Sequence, residues 1–149
     1  MVVIASTSEE AIIELRLPPA ERFASALRVL AASLAAEEQF TIDDIADLRT
    51  AVDETFAALV RNMEPSGPAG RPDGLIVRFR VHGAGVDVTF RATNGFPRTV
   101  LDLRTTHLLE TKVDRLVVGD DSITLVKRPR RAGAVTPSPL ATAATREPG

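Results

Sequence analysis

Residues 40–62, FTIDDIADLRTAVDETFAALVRN, read as one long amphipathic helix and fix where the core of this chain must lie. Ile42, Ile45, Leu48, Val52, Phe56, Leu59 and Met63 recur at helical spacing, so one face is apolar along its length. Thr41 stands where an N-cap hydroxyl would accept a backbone N–H, and Asp44 stands at the acidic position of a capping box. Asp44, Asp47, Glu54 and Arg61 are read as sharing a second face. Such a helix needs a second layer to cover its apolar side, and its acidic side is either solvated or holds a site.

The rest of the chain supplies that layer. Residues 11–17 alternate, with Ile13, Leu15 and Leu17 on one side of a strand that Pro18-Pro19 ends. Residues 20–38 place Phe23, Leu27, Leu30 and Leu34 on one stripe of a first helix. Residues 64–74, with three Pro and three Gly, read as a flexible loop. Val77, Phe79 and Val81 then alternate with Arg78, Arg80 and His82, and Val86, Val88 and Phe90 with Asp87, Thr89 and Arg91, around a Gly83-Ala84-Gly85 turn. This is a hairpin whose polar faces offer cross-strand Arg–Asp pairs. Residues 93–98 are turn-like, and 99–112 suit a helix with Val100, Leu103, His107 or Leu108, and Thr111 inward. Residues 113–118 and 122–127 read as a last hairpin.

The order β-α-α-β-β-α-β-β predicts an α+β fold: a two-layer sandwich of a mainly antiparallel five-stranded sheet and three helices. The expected organisation is a flexible N-terminus over 1–10, one domain over 11–128 and a disordered tail over 129–149, where periodicity gives way to Pro, Ala, Thr and Arg.

Composition excludes several classes. The 149 residues carry a formal net charge of −2, with no global drive toward nucleic acid or an anionic membrane. Cysteine is absent, which removes disulfides, thiol catalysis and direct thiol sensing, and only His82 and His107 are available as imidazoles. No apolar run nears the roughly 20 residues a bilayer span needs. The N-terminus lacks the charged and apolar regions of a signal peptide, so a cytoplasmic protein is expected. Tyr and Trp are also absent and Phe is scarce, which argues against stacking platforms for single-stranded nucleic acid.

Glu54 is the candidate working acid, since Ala51, Ala57 and Ala58 beside it leave space for a ligand. Asp47 and Asp53 read as surface charges, with Asp53 able to pair with Arg49. The only candidate phosphate loops are 64–74, where prolines remove backbone donors, and Asn94-Gly95. Arg78, Arg80 and Arg91 form a strand-face patch, solvent-facing or a dock for an acidic partner. His107 reads as a partly buried packing residue, and the run Lys127-Arg128-Pro129-Arg130-Arg131 as a solvated tail.

The run Ile45-Ala46-Asp47-Leu48-Arg49-Thr50-Ala51-Val52-Asp53-Glu54 resembles the start of the hallmark helix of the anti-sigma-factor serine kinases. These belong to the superfamily of ATP-binding domains shared with histidine kinases and gyrase B. Leu108-Leu109-Glu110-Thr111-Lys112-Val113-Asp114-Arg115-Leu116 resembles that family's last helix entering its final hairpin, and element order agrees over 11–128. The chain looks most like the divergent actinobacterial branch. The resemblance implies a histidine-kinase-like ATPase fold, ATP and Mg²⁺ as cofactors, and Glu54 as general base. It also implies an alternative sigma factor and an anti-anti-sigma antagonist as partners, and a homodimer as the assembly.

The nucleotide motifs carry over only in part. The family's Mg²⁺-holding Asn, four residues after the Glu, is Ala58 here. Its Asp-x-Gly-x-Gly motif corresponds to Ala92-Thr93-Asn94-Gly95-Phe96-Pro97, without the adenine-reading Asp. Its glycine-rich lid corresponds to Asp102-Leu103-Arg104-Thr105-Thr106, without glycine. Glu54, Ala58, Asn94 and Gly95 are thus the remnants of a degenerate cofactor site, with no metal ligand set. Each lost charge-assisted contact is worth about 1.5–3 kcal/mol. The function expected is sequestration of an alternative sigma factor by protein binding. The alternatives are an active serine kinase acting on the antagonist, and a nucleotide-free regulator of another partner.

Overall fold

Residues 2–6, 10–63, 74–96 and 100–130 are described in a computed structural model of the chain. Most of the proline-rich loop (64–73), part of the turn after the hairpin (97–99) and the tail from 131 onward lie outside them. The strands are β1 (Val2–Ser6), β2 (Glu10–Leu17), β3 (Leu75–His82), β4 (Gly85–Ala92), β5 (Arg115–Val118) and β6 (Ser122–Lys127). The helices are α1 (Ala24–Glu37), entered through a 3-10 turn at Glu21–Phe23, α2 (Ile42–Asn62) and α3 (Leu103–Lys112).

Among the described residues the strands make one sheet in the order β1-β2-β3-β4-β6-β5, with every neighbouring pair antiparallel. The two-layer α+β sandwich with three helices is therefore the architecture, but the sheet has six strands rather than the expected five. The additional strand comes from the N-terminal stretch set outside the domain: Val2–Ser6 pairs with β2 from Val2 opposite Leu15 to Ser6 opposite Ala11. Its five residues, VVIAS, are a short apolar run without alternation, so their own pattern does not mark a strand.

Register decides which side of the sheet is buried. Val77 faces Phe90, Phe79 faces Val88 and Val81 faces Val86 across β3–β4. Ile123 and Leu125 of β6 continue this row, and all eight side chains are buried. The helices cover that face, α2 packing between α1 and α3, with α1 against β4, α2 against β6 and α3 against β5. Leu27, Ala31 and Ala35 are the buried positions of α1, while Phe23, Leu30 and Leu34 pack at its margin.

The stripe of α2 is corrected at its start. Leu48, Val52, Phe56, Leu59 and Met63 are buried, but Ile42 is 85% exposed and Asp44 is completely buried. Helical geometry explains the exchange. Each residue turns the helix by about 100°, so Ile42 lies about 120° round from Leu48 and Asp44 only about 40° away. The same arithmetic corrects α3. Thr105 and Leu109 are its buried positions, whereas Leu103 is 82% exposed and His107 and Thr111 face solvent.

Candidate functional site

The N-cap of α2 is as its sequence predicts, the Thr41 hydroxyl accepting the Asp44 N–H at 3.1 Å, but the Asp44 carboxylate accepts the Arg130 N–H and does not close a capping box. Glu54 lies about 120° from the buried centre of the helix, on the flank that looks toward α3. There it is half-buried and lines an open cleft of about 520 Å³ with Arg61, Asp102, Arg104, Thr105 and Leu108. Among the described residues no hydrogen bond or ion pair engages the Glu54 carboxylate. Asp102 is the N-cap of α3, its Oδ1 accepting the Thr105 N–H at 2.7 Å. That bond, with one from the Thr105 hydroxyl, holds the Asp102 carboxyl below the usual carboxylate range; Arg61 and Arg104 add to the effect. The cleft thus presents two acids and two guanidinium groups, and the acid at the helix N-terminus is already satisfied by the helix.

Magnesium and a nucleotide do not fit these residues. Ala58 is only 1% exposed, offers a methyl group, and is not part of the cleft wall. Asn62, one turn further on, spends its side-chain amide on structure: Nδ2 donates to the Ala58 carbonyl at 2.8 Å and to the Val100 carbonyl at 3.1 Å, tying α2 to the segment before α3. Asn94 and Gly95 sit in the turn after β4, where Gly95 (φ +79°) donates its N–H to the Ala92 carbonyl, and neither lines the Glu54 cleft. The structure therefore does not bring Glu54, Ala58, Asn94 and Gly95 together in that cleft. A triphosphate placed there would meet the carboxylates of Glu54 and Asp102, and the N–H of Thr105 that could receive a phosphate is already taken.

A second charged cluster was not legible from motifs. Asp44 Oδ1 lies 3.5 Å from Lys127 Nζ and 3.2 Å from Arg130 Nε, and Oδ2 accepts the Arg130 N–H at 3.2 Å. Lys127 Nζ is also 3.8 Å from Asp47, which pairs with Lys112 of α3 at 3.4 Å. Asp47 is thus a bridging carboxylate between α2, α3 and β6, not a surface charge. The missed signal was in β6: with Ile123 and Leu125 facing inward, strand alternation also aims Lys127 at the core. A buried lysine requires a buried carboxylate close by.

The remaining candidates are engaged. Arg78 pairs with Glu14 at 2.8 Å, Arg80 with Glu10 at 3.0 Å and Asp87 at 3.4 Å, and Arg91 with Asp121 at 3.4 Å. The strand-face patch is therefore a lattice of paired charges, not a free basic surface. Asp53 pairs with Arg28 of α1 at 3.0 Å, not with Arg49. The pair spans an open groove of about 590 Å³ between α1 and α2, floored by Phe56, Ala57 and Val60. Among the described residues no group of three or more His, Asp or Glu side chains is placed to hold a metal ion, and no helix is long and apolar enough to cross a membrane.

Comparison with protein-family models and with curated proteins returned no match.

Proposed function

We propose that this chain is a protein-binding regulator in the manner of an anti-sigma factor, holding an alternative sigma factor through surface contacts and not through nucleotide chemistry. The observation that carries the reading is the Glu54 cleft. Its acid lies opposite a capped helix N-terminus and a second carboxylate, with a buried alanine where a metal-holding oxygen would be needed. Partner binding needs only exposed apolar and charged faces. The groove between α1 and α2, with its apolar floor and its Arg28–Asp53 rim, supplies one. A histidine-kinase-like scaffold, a cytoplasmic setting, homodimerisation and release by an anti-anti-sigma antagonist belong to the same proposal and rest on the sequence resemblance. The test is direct binding of the purified chain to each sigma factor of its host by biolayer interferometry, alongside a pull-down from cell extract. Saturable binding to one sigma factor supports the proposal. If none binds and another protein co-purifies, the third reading, a regulator of a different partner, replaces it.

The kinase reading draws on the Glu54 carboxylate, which no hydrogen bond or ion pair engages among the described residues, as a general base would require. Radiolabel transfer from ATP to a serine of the antagonist, lost in Glu54→Gln, would establish it; no transfer leaves the binding reading alone.

A further inference from the structure

The chain leaves β6 by a short strap that the fold grips at four points. The Arg128 N–H is accepted by Asp114 Oδ2 at 2.7 Å, and the Arg130 N–H by Asp44 Oδ2 at 3.2 Å. The Arg130 guanidinium and the Lys127 ammonium both face Asp44 Oδ1. At Gly85 the β3–β4 turn presses so closely on the strap that a Cβ there would lie 2.1 Å from the Lys127 carbonyl oxygen. The stretch read as the start of a disordered tail is thus, at residues 129 and 130, part of the folded unit.

Two features make this grip releasable. Asp44 sits in the first turn of α2 and is completely buried, while the Arg130 side chain is 61% exposed, so the outer partner of a buried charge is accessible. Asp44 Oδ1, although flanked by two cations, has no hydrogen bond of acceptable geometry. A fully satisfied buried network rigidifies its surroundings, and a partly satisfied one holds them less firmly. Lys127 would remain when Arg130 leaves, being shared with Asp47, so the sheet keeps its anchor while the turn carrying Asp44 loses one.

We propose that residues 127–130 form a latch between the C-terminal end of the domain and the start of α2. Withdrawing Arg130 loosens the first turn of α2 without opening the sheet. Any event that pulls the chain beyond Arg130 is then felt on the helix carrying Glu54, whatever partner the protein binds. Hydrogen exchange on the full chain, read by mass spectrometry, tests this. Arg130→Pro removes both the guanidinium and the N–H donor, and Arg130→Ala removes only the guanidinium. Expected is at least a tenfold faster exchange over residues 42–48 in Arg130→Pro, a smaller rise in Arg130→Ala, and unchanged exchange over 75–92 in both. Unchanged exchange over 42–48 in Arg130→Pro overturns the latch. So does a rise of equal size over 75–92, which would mean general destabilisation. Arg130 lies outside every helix and strand, so both variants retain the elements needed to fold.

Discussion

Burial strips Asp44 of water, and the fold returns two cations and a backbone N–H in its place. Burial alone would raise its pKa. The Arg130 N–H, the Thr41 hydroxyl, Lys127 and the Arg130 guanidinium outweigh it and hold the carboxyl below its ordinary value. The folded value is therefore below the unfolded one of about 3.9. Stability from this group is fully present above about pH 4 and is lost as pH falls through the lowered value. Urea unfolding followed from about pH 6 to about pH 2 should show a drop below about pH 4 that is shallower in Asp44→Asn. Breaking the pair from the other side is harsher. Lys127→Met leaves a buried carboxylate short of one cation and should cost about 3–5 kcal/mol in urea midpoint analysis, as for other buried pairs deprived of a partner. Gly85 tests the strap sterically. Its φ is +138°, and a Cβ there would lie 2.1 Å from the Lys127 carbonyl oxygen, which leaves no space for a methyl group. Gly85→Ala should destabilise by about 2–4 kcal/mol.

At the scale of the element, α2 shows what periodicity can and cannot reveal. Its extent, its Thr41 cap and the burial of Leu48, Val52, Phe56 and Leu59 all follow from spacing. The start of the stripe is misread for one reason: a stripe drawn in steps of three drifts by about 60° per step, so it carries Ile42 out of the core and hides that Asp44 has turned into it. Phe56→Ala should therefore cost about 3–5 kcal/mol and Thr41→Ala about 1 kcal/mol, while Ile42→Ser should stay within about 0.5 kcal/mol of wild type, all by urea denaturation. The antiparallel hairpins were legible because their alternation is strict and their turn is glycine-bounded. The strand Val2–Ser6 was not, since a short edge strand is defined by its partner β2 more than by its own pattern. The arginines of the outer sheet face looked like a patch because sequence does not show which strands become neighbours. The β2–β3 register, which puts Glu14 opposite Arg78, supplies a partner that the hairpin's own sequence does not show.

Across the molecule's described residues, the face of β3, β4 and β6 that the helices cover is buried, and the opposite face carries paired charges at Arg78, Arg80 and Arg91. Among the same described residues, β1 lies at one edge of the sheet, and the strap after β6 is held against the start of α2. Fold and chemistry separate cleanly here, since a two-layer sandwich can persist whatever its clefts contain. The remnants of a nucleotide site that the sequence suggests, Glu54, Ala58, Asn94 and Gly95, do not line one cleft, and the cleft that Glu54 does line is balanced by Asp102, Arg61 and Arg104. The proposal that this protein works by binding a partner and not by spending ATP is put to the test by calorimetric titration of the full chain with Mg-ATP. No saturable heat is expected at nucleotide concentrations up to about 1 mM, where a binding free energy would still be only about −4 kcal/mol. A saturating isotherm with a micromolar Kd, abolished in Glu54→Gln, would contradict it.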